Sequence, residues 1–359
     1  MKFDKWLFID IVVLMFFGLL MIYSSSYVWA EYKFGNSFHY AIYQGIFIIL
    51  GIITMIIVSK INYNFYYKHA NLLLFTAIFL LILVLIPGIG SVRNGSRSWF
   101  GIGSLGVQPS EFAKLCLIIF SAKYLEKSNK FIKDYKKGVI PILIVTLFIF
   151  GLIMLEPDMG SGTILVISIV SLLFVAGVNM KFFLGIGILG IIGVILLIII
   201  APYRMDRITS FLNPWSDPLG TGFQIIQSLY AIGPGGLLGK GLFQSMQKNF
   251  YLPEPQTDFI FSIISEELGV LGVLIVAFLF GFLLYRGINI ALKSERLFTK
   301  YLAFGLTFQI LFQTILNLSV VIGLIPVTGV TLPFLSYGGS SLLVSAISMG
   351  ILLNISKRN

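Results

Sequence analysis

Long apolar runs separated by short polar breaks dominate the chain. Crossing a bilayer takes about 20 apolar residues. On that measure the runs place ten spans near 6–27, 39–59, 71–87, 111–125, 138–155, 160–178, 181–201, 262–285, 298–322 and 335–356. The runs at 111–125 and 138–155 are short for a full crossing, so their ends are the least defined. The expected fold is all-α: a polytopic integral membrane protein of about ten transmembrane helices, forming a single unit over 1–359. Two breaks are long, 88–110 and 202–261. The second separates helices 7 and 8 and is rich in Gly and Pro. It interleaves Phe211, Trp215, Phe223, Ile225, Ile226, Leu229 and Tyr230 with polar residues. Loops of such length in a compact protein are usually functional or disordered, and the interleaving predicts short ordered helices at the membrane interface.

Composition agrees with the pattern. The chain is 57% hydrophobic and 11% charged, where a soluble domain has about 25% charged residues. The single cysteine, Cys116, excludes an intramolecular disulfide. With only the distant His39 and His69 besides, it also excludes a Cys-ligated metal site. The net charge of +10 invites a nucleic-acid reading, but its distribution argues against one. With both termini cytoplasmic, 17 of the 25 Lys and Arg fall on the cytoplasmic side and seven outside, with Lys114 inside a span. That asymmetry follows the positive-inside rule, and EKSNKFIKDYKK (126–137) is its strongest anchor. The first run, from Trp6 to about Tyr23, exceeds the 7–15 residues of a signal-peptide core. It is expected to remain as the first helix.

Candidate chemistry crowds the outer, extracytoplasmic side. In QPSEFAK, Glu111 and Lys114 stand three apart and share one helix face. An ion pair entering a span needs protein partners. It either locks the helix start or offers Lys114 to an anionic headgroup. Upstream, Arg97 precedes Trp99 after an Asn94-Gly95 turn signal. It is either an interfacial anchor or a phosphate grip. LEPDMGSGT sets Glu156 and Asp158 in a short reversal, as a polar turn with Asp158 capping the next helix or as carboxylates over a cavity. GPGGLLGKG (233–241) fails the P-loop pattern and is expected to be a flexible reversal. In LPEPQTDFIF, Pro253 and Pro255 keep the chain extended. Thr257 is then expected as the helix cap, with Asp258 in the first turn, where the helix dipole alone would favour it. Ser336 and Ser340, in TLPFLSYGGSSLL, either allow close packing or line a polar crevice.

Together these stretches resemble the SEDS family (shape, elongation, division and sporulation), the group containing FtsW, RodA and SpoVE. The residues that carry the likeness are NGSRSWFGIGSLGVQPSEFAKL (94–115), LEPDMGSGT (155–163), the stretch from Gln227 to Gly269 and TGVTLPFLSYGGSSLL (328–343). The wording QKNFYLPEPQTDFIF is closer to the FtsW/SpoVE branch than to RodA. The resemblance implies a peptidoglycan glycosyltransferase in the bacterial cytoplasmic membrane. It would polymerise lipid II into β-1,4-linked glycan on an undecaprenyl pyrophosphate carrier, with its active site extracytoplasmic.

The resemblance also implies a class B penicillin-binding protein, a transpeptidase, as partner. Membrane lipids surround the complex, and nucleic acid has no part in it. The family's essential aspartate maps onto Asp258 as catalytic base, and its Glu–Lys pair onto Glu111 and Lys114. Where family members carry an alternating basic pair before the Trp, this chain has Arg97-Ser98-Trp99, so only Arg97 carries over. Glu156, Asp158, Ser336 and Ser340 complete the candidate substrate site. No cofactor is evident, and a divalent cation, Mg2+ or Mn2+, at the pyrophosphate is left open. The alternatives are a lipid II flippase or a non-catalytic scaffold. Transporters place polar sites at the bilayer midplane, often in repeated halves; this chain shows no internal repeat and keeps its polar motifs at one edge.

Overall fold

A computed structural model describes residues 3–93, 95–102, 105–200 and 202–357. The chain begins with three long helices, α1 (Lys5–Phe34), α2 (His39–Lys60) and α3 (Tyr63–Leu85). Strands β1 (Ser91–Arg93), β2 (Ser96–Ile102) and β3 (Leu105–Val107) follow. Next come α4 (Pro109–Ser128), a single turn α5 (Tyr135–Gly138), α6 (Ile140–Leu155), α7 (Met159–Val175) and α8 (Met180–Ile200). The long segment holds α9 (Pro202–Leu212) and α10 (Phe223–Ile232). The last three are α11 (Ile260–Lys293), α12 (Leu297–Val321) and α13 (Gly339–Ser356).

A helix stands at each of the ten apolar runs. Among the described residues, α1, α2, α3, α11, α12 and α13 are long and apolar enough to cross a membrane, and α6, α7 and part of α8 are shorter apolar helices. The protein is a multi-pass, helical membrane protein. The 88–110 segment departs from a purely helical reading: it is a three-stranded antiparallel sheet in the order β1-β2-β3, with Arg93 paired to Ser96 and Phe100 to Val107. Strands of three to seven residues are too short to register in a membrane-length hydropathy pattern. Gly95 takes φ +81 at the first reversal, while Asn94 lies outside the described residues.

Helix α4 occupies the centre, packed by α3, α7, α12 and α13. It is buried on nearly every side, Glu111, Lys114 and Ser121 included. That explains why its run is less apolar than its neighbours: its polar groups meet protein rather than lipid. At one end of the bundle Asp4 caps α1, accepting from the N–H groups of Trp6 and Leu7 at 3.1 Å, and pairs with Arg286. At the same end Arg296 grips Glu126 at 2.8 and 3.0 Å.

The opposite end depends on a break. Inside α11, Gly269 adopts φ +61, ψ −152, which interrupts the helical hydrogen bonds around it. In apolar surroundings freed backbone groups must find partners, and the glycine-rich segment 233–241 supplies them. Gly236 and Leu237 accept from the N–H groups of Val270 and Leu271 at 3.0 and 3.2 Å. The N–H groups of Lys240 and Gly241 donate to the carbonyls of Glu266 and Glu267 at 2.9 and 3.0 Å. Contact is close enough that a Cβ on Gly239 would lie 2.1 Å from the Glu267 carbonyl oxygen, and one on Gly235 2.2 Å from that of Ser265. The segment expected to be a flexible reversal is therefore docked into the helix break.

Side chains lock the same junction. Glu266 accepts from Lys240 Nζ at 2.7 Å, the Ser245 hydroxyl at 2.5 Å and the Met246 N–H at 3.0 Å. Glu267 accepts from Lys248 Nζ at 2.7 Å, the Ser24 hydroxyl of α1 at 2.5 Å and the Ser245 N–H at 3.2 Å. Both carboxylates are fully buried. Buried ion pairs hold only when their remaining lone pairs are also satisfied, and removing one partner typically costs 3–5 kcal/mol. The chain from 233 to 248 is thus pinned to α11 and α1, which delivers residues 250–258 to the mouth of the bundle.

Gly239→Ala forces a Cβ into backbone at positive φ, and is expected to lower stability by about 2–4 kcal/mol. Gly241→Ala, whose added Cβ meets a flexible glutamine side chain at 3.6 Å, should cost less despite sharing a positive φ. Thermal melting of the purified protein in detergent checks the order of the two.

Candidate active site

Lys114 is 1% exposed, and its ammonium donates to Glu111 Oε1 at 2.8 Å and to Gln313 Oε1 at 3.2 Å. Gln313 in turn donates from Nε2 to the Thr331 carbonyl at 3.0 Å. One turn further along α12, about 6 Å, Asn317 presents its side chain on the same face. Its Nδ2 donates to the backbone carbonyl of Asp258 and to that of Val330, both at 2.7 Å. Two amides four residues apart therefore tie three things together: the Glu111–Lys114 pair, the irregular segment at 330–331 and the backbone of Asp258.

Asp258 stands just before α11. The helix starts at Ile260 with Phe259 as its cap residue, not at Thr257, so Asp258 is not a first-turn residue as its sequence context predicts. The turn Glu254–Thr257 closes on itself instead, with the Thr257 N–H donating to the Glu254 carbonyl at 3.0 Å. The adjoining Gln256 carbonyl accepts from the Tyr337 N–H at 2.8 Å, which joins this turn to the loop before α13. The Asp258 side chain is half-buried. Burial raises its pKa above the usual carboxylate value, Glu254 adds to the rise, and the Thr257 hydroxyl and the Arg207 guanidinium oppose it. Arg207 belongs to α9, is exposed, and donates from Nη1 to the Val327 carbonyl at 3.0 Å.

The other candidates form a second layer around the start of α4. Asp158 caps α7, accepting from the Ser161 N–H at 3.0 Å through Oδ1, while Oδ2 accepts from Gln108 Nε2 at 2.9 Å and the Ser110 hydroxyl at 3.4 Å. Ser340 accepts from the Gln108 N–H at 3.0 Å, and Ser336 from the Leu332 N–H at 2.8 Å. Both serines thus serve backbone in the folded protein. Glu156 is fully buried, its carbonyl accepts from the Ser96 hydroxyl, and neither carboxyl oxygen has a hydrogen-bond partner among the described residues. Arg97 turns toward the end of α3, with Nη1 3.5 Å from the Leu85 carbonyl and its stem beside Gly90. It is not brought to Lys114. No cluster of three or more His, Cys, Asp or Glu side chains that could hold a metal occurs among the described residues.

The model of the FtsW/RodA/SpoVE cell cycle protein family matches residues 5–359. The chain belongs to that family. Among FtsW/RodA/SpoVE members, stage V sporulation protein E of Bacillus subtilis is 51% identical over 354 residues, covering 99% of this chain and 97% of that protein. The probable peptidoglycan glycosyltransferase FtsW of Trichlorobacter lovleyi is 41% identical over 355 residues, covering 99% and 93%. These relatives place the chain in the FtsW/SpoVE branch. A chain from a peptidoglycan synthase complex that coordinates polymerization and crosslinking superposes with a TM-score of 0.82 at 30% identity, covering 100% of this chain and 98% of that one. The rod shape determining protein RodA of Thermus thermophilus gives 0.74 at 26% identity, covering 99% and 97%.

Within this family member, the site residues that sequence reasoning missed are Gln313, Asn317 and Arg207. The two amides had a legible signal, since polar side chains at i and i+4 inside an apolar span mark a face that meets protein. Arg207 had none, because an arginine in an interfacial helix looks like any membrane anchor.

Glu156 generates the test for this layer. Burial, with Asp158 adding to it, raises its pKa to about 8. The folded value lies above the ordinary one, so its stabilising contribution is full below about pH 4.5 and is lost as pH rises through about 8. Wild-type protein should melt progressively lower between those limits, by up to roughly 5 kcal/mol of stability, whereas Glu156→Gln should show a flatter dependence. Melting curves of both proteins across that range, in one detergent, measure the difference.

Proposed function

We propose that this protein is a peptidoglycan glycosyltransferase that polymerises lipid II into β-1,4-linked glycan strands, with Asp258 as its general base. The observation that carries the reading is the seating of Asp258. Its backbone is held to α12 by Asn317, while its carboxyl stands outside the helix, half-buried, with its pKa raised by that burial. A general base needs geometry first and then a pKa closer to the working pH than an ordinary aspartate has. Forming the bond requires removing the proton from the attacking sugar hydroxyl as the anomeric carbon loses its pyrophosphate. A β-1,4 product from that donor means inversion, so the base lies opposite the leaving group, as in inverting glycosidases.

Positive charge serves the departing pyrophosphate. Arg207, exposed and close enough to act on Asp258 through its charge, is assigned to meet it, and Arg grips phosphate bidentately. Lys114 is enclosed by Glu111 and Gln313, and we assign it to positioning: it fixes α12, whose Asn317 holds Asp258. Arg97, Glu156, Asp158, Ser336 and Ser340 support the mouth of the site from the surrounding turns.

In this reading the protein lies in the bacterial cytoplasmic membrane with both termini cytoplasmic and Asp258 facing outward, where lipid-linked precursor and growing strand meet. Its partner is a class B penicillin-binding protein that crosslinks the strand, in keeping with the solved peptidoglycan synthase complex whose chain this fold matches. The likeness to both SpoVE and FtsW supports roles in sporulation and division.

Full-length protein in liposomes containing lipid II tests the assignment. Wild type should make polymer. Asp258→Ala should lose at least about 10³-fold in rate, within the range for removal of a general base, with its melting temperature retained. Because the base must be ionised, the rate should fall with acidity at a pH above the ~3.9 of an ordinary aspartate. Lipid II translocation without polymer, unaffected by the substitution, would favour a flippase and end the enzyme reading.

A further inference from the structure

The hydroxyl of Thr257 lies between two oxygens. It is 2.7 Å from the Glu254 carbonyl and 2.9 Å from Asp258 Oδ1. A hydroxyl has one proton and two lone pairs, so it cannot donate to both at once. Two proton arrangements fit the same heavy atoms. With Asp258 ionised, the Thr257 hydroxyl donates to Oδ1 as a charge-assisted bond, and the Glu254 carbonyl keeps the Thr257 N–H at 3.0 Å. With Asp258 protonated, Oδ1–H donates to the Thr257 oxygen, and the hydroxyl proton turns to the Glu254 carbonyl. Neither arrangement strands a donor.

We propose that Thr257 is a positioning residue for Asp258: a hydroxyl rotor that follows the carboxyl's charge and lets it take and release a proton without any heavy atom moving. The proton removed from the acceptor sugar resides on Asp258 Oδ1 and leaves to water when the base is regenerated. Thr257 only reorients its own.

The local backbone is built for this. Glu254 holds φ +43, a left-handed conformation that non-glycine residues rarely adopt, between two prolines that restrict its neighbours. That conformation opens the turn whose carbonyl meets both the N–H and the hydroxyl of Thr257. Other groups face Asp258 differently. Glu254 in its own segment and Arg207 of α9 act on it through charge. Asn317 of α12 holds its backbone. Lys114 of α4 is neutralised by Glu111 one turn away, and the hydroxyls of Tyr40 and Tyr337 lie on the Glu254 side. Among the described residues, Thr257 is the side chain that hydrogen-bonds the carboxyl oxygen itself.

The inference rests on the reading of Asp258 as base, and the experiment separates the two. Full-length wild type, Thr257→Val, Thr257→Ala and Thr257→Ser are compared in liposomes with lipid II by pH–rate profile. The Asp258 carboxyl is titrated in parallel by infrared difference spectroscopy against Asp258→Asn. A hydrogen bond to the charged form stabilises it by about one pKa unit. Losing the hydroxyl should therefore move both the acidic limb of the rate profile and the infrared titration up by about one pH unit. Thr257→Ser should bring both back, which a loss of packing alone would not do. Hydroxyl-free variants that fold, by melting temperature, yet titrate at the wild-type position overturn the proposal. Polymerisation retained in Asp258→Asn would instead overturn the base assignment, and the infrared titration would still decide what Thr257 does.

Discussion

Backbone polar groups in apolar surroundings must be paired, and α11 breaks that rule's simplest solution at Gly269. A helix that satisfied itself throughout would need nothing from the rest of the chain. This one opens at Gly269, and the carbonyls and N–H groups around the break are completed by 236–241. Glycine is required on both sides, since the two backbones approach to distances that a Cβ on Gly239 or Gly269 would forbid. The break is thereby turned into an anchor. Residues 235–241 take their position from it, and the Asp258 segment that follows is held in turn by Asn317 and the Tyr337 N–H.

Charge follows the same logic at this end of the bundle. Glu266, Glu267, Lys240 and Lys248 are paired and supplied with further donors, and Lys114 is shared between Glu111 and Gln313. Such groups are costly to bury and, once paired, hold segments in register. Asp258 stands apart: Arg207 acts on it through charge, and its own oxygen meets a hydroxyl. An acid buried that way holds its proton more tightly than one in water, which suits a group that must accept a proton during turnover. The scaffold can seat a carboxyl so because the neighbouring charges have been settled among themselves.

Much of this is legible in the sequence. The apolar runs located a helix at each of ten places, because lipid demands long apolar stretches whatever the packing. The aromatic interleaving of 202–261 announced the short helices α9 and α10. Local rules went astray where tertiary contacts compete with them. Thr257 has the chemistry of a helix cap, yet its hydroxyl is engaged by the Glu254 turn and Asp258. The run at 233–241 has the composition of a flexible loop, and it is held rigidly because its glycines allow close approach to another backbone. The small β-sheet has no counterpart in the hydropathy pattern, because strands that short leave no membrane-scale signal.

The sequence by itself determined that the protein crosses a membrane many times, which family wording it carries, and that Asp258, Glu111 and Lys114 deserved weight, since hydropathy and motif are local properties of the chain. Only the tertiary structure decided how those residues relate. Gln313 reaches Lys114 across a sequence separation of 199 and Asn317 reaches Asp258 across 59, and Arg207 arrives from α9 while Arg97 turns to the end of α3. Distances between segments remote in sequence are set by how helices pack and by where freed backbone finds partners, and no local pattern encodes them.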